Sequence, residues 1–175
     1  MRAVLATTVL AAVALVAAVT PALAKPPTKR QIAKAVHTAE TSSSLWATIN
    51  ICNSKRDPDE IGVRGQMPSL GFSSEMYMTI QLDAWSATTK SFSPIQSPNA
   101  VNNVTLGAHI RGLEQSGSVF PFKKGQTGLW NATIVFTWKR SGKVIGQIQR
   151  TTTAGHKAAD FGNPPHYTAT QCKIT

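Results

Sequence analysis

Three regimes of hydrophobic patterning divide this chain. From Ala3 to Val19 the residues are almost all Ala, Val and Leu, with no alternation. At Ile32, Ala35, Val36 and Ala39 the apolar positions recur at i, i+3, i+4 and i+7, one stripe of a helix. From Leu45 onward the period changes to two, which sends successive side chains to opposite faces of a strand.

The helical stripe has a start signal. Thr28 is followed three residues later by Gln31, the reciprocal pair of a capping box. A helix is predicted over 29–40, ended by Thr41 and the serines after it and preceded by an extended Lys25-Pro26-Pro27 leader. Lys29, Arg30 and Lys34 lie on or near its polar side. Ile, Val and Ala give its apolar stripe too little area to hold a membrane surface, so the helix is expected to pack on the following domain.

The strand pattern begins with Leu45, Ala47, Ile49 and Ile51, alternating with Trp46, Thr48, Asn50 and Cys52. Large residues on both faces predict a strand covered on both sides. Residues 53–60 form a polar turn region, 61–67 a second strand stopped by Pro68, and 71–75 a loop. In the strand 76–85, Met76, Met78, Ile80, Leu82 and Ala84 share one face, and 91–95 return after the turn 86–90. Residues 96–107 read as loop. The strongest strand is 129–139, with Trp130, Ala132, Ile134, Phe136 and Trp138 on one face. A tight turn at 140–143 leads to a return strand over 144–153. A polar loop spans 155–165, and the last strand is expected over 167–174. About seven strands and one short N-terminal helix predict an antiparallel immunoglobulin-like β-sandwich, with a Greek-key β-barrel as the alternative.

The first regime is a targeting signal rather than part of that fold. Arg2, the apolar run, the break at Thr20-Pro21 and the small residues Ala22 and Ala24 follow the order of a secretory signal peptide with cleavage after Ala24. The chain then divides into a signal peptide (1–24), a basic leader with a short helix (25–44) and one β-sandwich domain (45–175). A secreted product without stable membrane insertion is expected. Cys52 and Cys172 are the only cysteines, and in an oxidising compartment they are expected to form a disulfide between the first and last strands. A free nucleophilic cysteine is the competing reading; it would need a base partner.

Charge changes the picture modestly. Lys and Arg total 18 against 8 Asp and Glu, a formal net charge of +10. This favours anionic cell-surface or wall polymers as partners, although the same charge also serves solubility. The basic residues gather at Lys25 to Lys34, at Lys123-Lys124, and at Lys139, Arg140 and Lys143, the last group being the candidate anionic-ligand patch. Trp130 and Trp138 lie near that patch in sequence. They share a face with Ile134 and Phe136, which assigns them to the core rather than to a stacking platform.

Chemistry-bearing residues do not converge into a motif. Asp57, Asp59 and Glu60 cluster without the order of a calcium loop, and read as a solvated turn paired with Lys55 and Arg56. His156, Asp160 and His166 share one loop, but their spacing matches no zinc pattern. Asn103-Val104-Thr105 and Asn131-Ala132-Thr133 match the glycosylation acceptor pattern, which is short and frequent by chance. There is no G-x-S-x-G nucleophile elbow. No catalytic residue, cofactor or metal is assigned.

Several strings are more specific. The segments LWATINIC at 45–52, IGVRGQMP at 61–68, MYM at 76–78, GH at 155–156 and PPHYTATQC at 164–172 resemble a group of small exported bacterial proteins with a β-sandwich domain. The resemblance covers most of residues 25–175. It implies the same fold and the Cys52–Cys172 pairing, and it implies no activity.

The reading is therefore a secreted, monomeric, non-enzymatic binding or structural module. A small extracellular hydrolase is the alternative, and nucleic acid is not an expected partner. Mass spectrometry of the exported protein should find Lys25 as the first residue. A product retaining residues 1–24 would contradict the secretory reading.

Overall fold

The computed structural model describes residues 25–175, so the signal-peptide segment lies outside the described residues. The helix α1 (Lys29–Glu40) forms where its capping box predicts. The Gln31 N–H donates to Thr28 Oγ1 at 3.3 Å, and the Thr28 N–H donates to Gln31 Oε1 at 2.8 Å. Val36 and Ala39 are its buried residues.

Nine strands follow: β1 (Trp46–Cys52), β2 (Glu60–Pro68), β3 (Ser74–Ser86), β4 (Ser91–Pro94), β5 (Val101–His109), β6 (Leu113–Pro121), β7 (Gly128–Arg140), β8 (Lys143–Thr151) and β9 (Cys172–Ile174). One sheet has the order β1-β2-β6. The other runs β4-β3-β7-β8, with β5 beside β4 along one edge of β3 and β9 beside β8 along one edge of β7. All named strand pairs are antiparallel. The second strand pairs with the first and the sixth, while the third, seventh and eighth lie side by side. That is the sheet division of an immunoglobulin-like sandwich.

The core lies between the sheets. Met76, Met78, Ile80 and Leu82 of β3 and Trp130, Ala132, Ile134, Phe136 and Trp138 of β7 are all buried, as their alternation predicts. Ile61, Val63 and Met67 of β2 and Phe120 of β6 close the core from the other sheet. The Trp138 indole Nε1–H donates to the Pro68 carbonyl at 2.9 Å, so its one polar group is satisfied inside the core.

Three expectations require correction. Residues 101–107, read as loop, belong to β5. The strand β6 was not foreseen. The last strand covers only Cys172–Ile174 rather than 167–174. The first two are edge strands whose sequences hide them. Residues Asn102 and Asn103 weaken the strand signal of β5, whose side chains are mostly exposed. In β6, Ser116, Gly117 and Ser118 interrupt the apolar alternation. Gly117 is required there, because a Cβ would stand 2.1 Å from the Val63 carbonyl oxygen of β2.

The first strand is covered on both faces, as expected. Its outer face lies beneath the segment between β8 and β9. Asn50 Nδ2 donates to the Asp160 and Phe161 carbonyls at 3.0 and 3.1 Å, and Ile49 exchanges backbone hydrogen bonds with Ala169 at 3.0 and 2.9 Å. Cys52 and Cys172 form a disulfide that ties β1 to β9.

The faces of β7 set a stability test. Phe136→Ala should lower unfolding free energy by about 3–5 kcal/mol, the usual range for a buried aromatic. Thr137 points to the opposite face, yet it is only 8% exposed and its hydroxyl accepts from Gln147 Nε2 at 3.0 Å. Thr137→Ala should therefore cost about 1 kcal/mol, one modest hydrogen bond. Urea unfolding of the two variants checks this ordering, and its reversal would mean the wrong face had been assigned to the core.

Candidate functional site

The predicted basic patch sits at the end of the sandwich where β7 stops and β3 begins. Lys139 and Arg140 stand there at the tip of the hairpin formed by β7 and β8, and both also line a trough. Lys139 Nζ lies 4.6 Å from the centre of the Tyr77 ring, and the Arg140 guanidinium lies 5.4 Å from that of Phe72. Aromatic faces attract cations, so each head group has a fixed resting place. Lys143 faces Arg140 across the turn in strand register and is exposed.

The trough consists of three connected hollows. The first, of about 450 Å³, runs between α1 and the residues after β2, and Lys34 lines it. The second, of about 570 Å³, lies among Lys25, Pro27, Phe72, Ile110 and Arg140. Gln31, Ala35, Leu70 and Gly71 are common to both. The third, of about 260 Å³, contains Glu75, Lys139 and Arg140, and shares Ser73 and Arg140 with the second. Lys34, Lys25, Arg140 and Lys139 therefore follow one another along a single surface channel. The charged residue opposing them is Glu75, which accepts a 2.6 Å hydrogen bond from the Tyr77 hydroxyl and pairs with Lys139 across the strands. That hydrogen bond, with burial and the carboxylate charge behind it, raises the Tyr77 phenol above its usual value. Arg140 Nη1 is buried and has no protein partner.

Sequence distance concealed most of this arrangement. Lys25 and Lys34 were visible as a basic group of their own, but nothing in the chain shows that α1 lies beside the β7 terminus. Phe72 and Ile110 carried no signal.

The other sequence candidates stay apart from the trough. Trp130 and Trp138 are core residues, 5% and 0% exposed, so neither forms a platform. Among the described residues no three of His, Cys, Asp and Glu gather as a metal site. His166 Nδ1 meets the Lys157 carbonyl at 3.1 Å. The Asp57 turn is held by hydrogen bonds instead of the expected ion pairs with Lys55 and Arg56: the Asp57 N–H donates to Ser54 Oγ at 3.0 Å, and Asn163 Nδ2 donates to the Asp57 carboxylate. Of the two glycosylation patterns, Asn131 is buried and Asn103 is exposed.

Comparison with known proteins adds little to this geometry. No family model matches the chain. No curated protein matches it either. A solved structure of a glycosyl hydrolase family 2 member from Bacteroides cellulosilyticus is 10% identical over 62% of this chain. The aligned part spans 14% of that protein's length with a TM-score of 0.32, an overlap too slight to carry a functional argument.

His156 gives the region outside the trough a pH signature. Its ring stacks on Trp46 at 4.7 Å and shares a 2.8 Å hydrogen bond with the Thr153 hydroxyl. Burial lowers its pKa below the ordinary 6.5 because the charged form loses water. The folded state therefore binds this proton less readily than the unfolded state. Its contribution to stability is complete above the ordinary value and declines as pH falls through it toward the depressed folded one. Replacing His156 with Phe, which keeps the stack, should flatten the stability profile in that window, as measured by thermal melts at a series of pH values. An unchanged slope would remove His156 as its source.

Proposed function

We propose that this protein is a secreted, non-enzymatic binding module that holds an anionic surface or wall polymer along the trough, which the leader and helix (25–44) build together with the β-sandwich domain (45–175). The observation that carries the reading is the continuity of Lys34, Lys25, Arg140 and Lys139 along one channel. A row of cations suits an extended polyanion better than a compact ligand, because successive charges meet successive side chains. Leu70, Phe72 and Ile110 add apolar surface to the hollow that holds Lys25 and Arg140. Among the described residues no helix is long and apolar enough to cross a membrane, and a disulfide suits an exported chain. Cleavage after Ala24 would put the new α-ammonium group of Lys25 at the trough itself, adding one more positive charge. Acid–base hydrolysis finds less support here: Glu75 is the carboxylate lining the trough, and it is engaged by Tyr77.

Binding to polyphosphate and to polygalacturonate, with neutral dextran as control, tests the reading. Both polyanions should bind, with affinity falling as salt rises. Arg140→Gln and Lys25→Gln should each weaken binding about fivefold, equal to roughly 1 kcal/mol. Lys124→Gln, outside the trough, should leave it unchanged. Equal affinity for all three variants, or equal binding of dextran, would overturn the proposal.

A further inference from the structure

The sheet edges of this molecule are not treated alike. The outer edge of β1 is closed by backbone hydrogen bonds: the Thr153 N–H donates to the Ala47 carbonyl at 2.8 Å, the Asn163 N–H to the Asn50 carbonyl at 2.8 Å, and Ile49 pairs with Ala169. Helix α1 packs on the core-side face of β8, where a Cβ on Gly146 would stand 2.6 Å from Val36 and 3.3 Å from Trp138. The edge formed by β4 and β5 is broken by Pro94, by a 3₁₀ turn over Pro98–Ala100 and by a bulge near Gly107. Backbone cover of an edge, a proline and a bulge are known ways of preventing further strand pairing.

Among the described residues β6 has neither a bulge nor backbone hydrogen bonds on its outer side, and its one proline, Pro121, stands at its last position. It pairs with β2 through nine consecutive residues without a bulge, and the sheet ends with it. Between Leu113 and Pro121 the one charged residue is Glu114, which is held by His109 at 3.1 Å. A row of backbone groups is thus left to water along an edge made mostly of small or uncharged residues.

A pocket lies at the C-terminal end of the same edge, opposite to the trough. It has a volume of about 340 Å³ and is walled by Ile61, Leu82, Phe120, Phe122 and Trp130, with Lys123 among its lining residues. The rings of Phe122 and Trp130 stack at 6.0 Å. An unprotected edge beside an apolar pocket meets both needs of strand addition: main-chain hydrogen bonds for affinity and a side-chain pocket for selectivity.

We propose that β6 and this pocket receive an extended peptide segment of another protein. The peptide places one large apolar side chain in the pocket and carries acidic residues at its ends. The charges that flank the edge choose this occupant. Arg111 precedes β6 and Lys123-Lys124 follow it, all exposed. Antiparallel pairing of β6 with a second copy about its middle residue, Gly117, would set Arg111 against Lys123 at both ends. An acid-flanked peptide turns the same charges into attraction. This site is separate from the trough and does not rest on the polymer reading.

The test uses the disulfide-intact chain and the acetylated, amidated peptide EFTVTVTE. Calorimetry should show saturable binding, and amide hydrogen exchange should slow along β6. The same peptide N-methylated at alternate residues should not bind, because it cannot complete the ladder. Changing its Phe to Ser, or changing Lys123 to Glu in the protein, should weaken binding roughly tenfold, about 1.4 kcal/mol. Polyphosphate should not compete. Absence of binding, unchanged exchange along β6, or equal binding of the N-methylated peptide would overturn the assignment. So would sedimentation showing a dimer that protects β6, since the occupant would then be a second copy.

Discussion

The pairing of β3 with β7 is the constraint on which the rest of the structure depends. It runs in unbroken register from Glu75 opposite Lys139 to Ala84 opposite Trp130. On the inner face it sets Met76, Met78, Ile80 and Leu82 beside Trp138, Phe136, Ile134 and Ala132. Most of these larger side chains are worth about 1.5–3 kcal/mol when fully buried. A slip of one residue would exchange them for Tyr77, Thr79, Gln81, Thr133 and Lys139, so register and core are one decision. Every other strand of that sheet hangs on these two: β4 and β5 on the free side of β3, β8 and β9 on the free side of β7. The trough stands at one end of this ladder because Glu75, Lys139 and Arg140 are where it stops. The apolar pocket is at the other end, where Leu82 and Trp130 reach the rim of the core.

A second constraint keeps the two sheets in place. The bond between Cys52 and Cys172 joins residues 120 apart in sequence and links the first sheet to the edge of the second. Closing a loop of that length removes about 4–5 kcal/mol of unfolded-state entropy in the chain-entropy model. Between β8 and the bonded β9 the chain leaves its sheet, lies over the outer face of β1 and β2, and reaches the Gln115 side chain of β6. His156 stacks on Trp46, the Arg64 guanidinium sits 4.8 Å from the centre of the Phe161 ring, and the Asp160 N–H donates to Gln115 Oε1 at 3.1 Å. This covering explains why β1 carries large residues on both faces. It also closes the edge of β1, leaving β6 as the free edge of the smaller sheet.

What could be read from the sequence follows burial. The alternation in β3 and β7 is legible because one face of each strand is core and the other is polar. The helix is legible because its capping box and its apolar stripe agree. Edge strands are harder. Half of β5 faces water with Asn and Thr, and β6 needs Gly117 for close approach to β2, so neither carries a clean period of two. The site is legible only in part. Lys139 and Arg140 are adjacent in the chain, and their grouping was visible. Their partnership with Lys25 and Lys34 depends on the placement of α1, which no local pattern encodes. Likewise the pocket beside β6 is assembled from five separate segments, and its aromatic residues look like ordinary core.

Residue-level amide hydrogen exchange, measured by NMR on the oxidised chain, tests most directly whether the β3–β7 ladder frames the fold. If it does, the slowest amides are those between Met76 and Leu82 and between Ala132 and Trp138, opening only with global unfolding. The smaller sheet should exchange faster, with β6 fastest among its strands. Slowest exchange in β1 and β2, or uniform protection across both sheets, would contradict the central place given to that ladder.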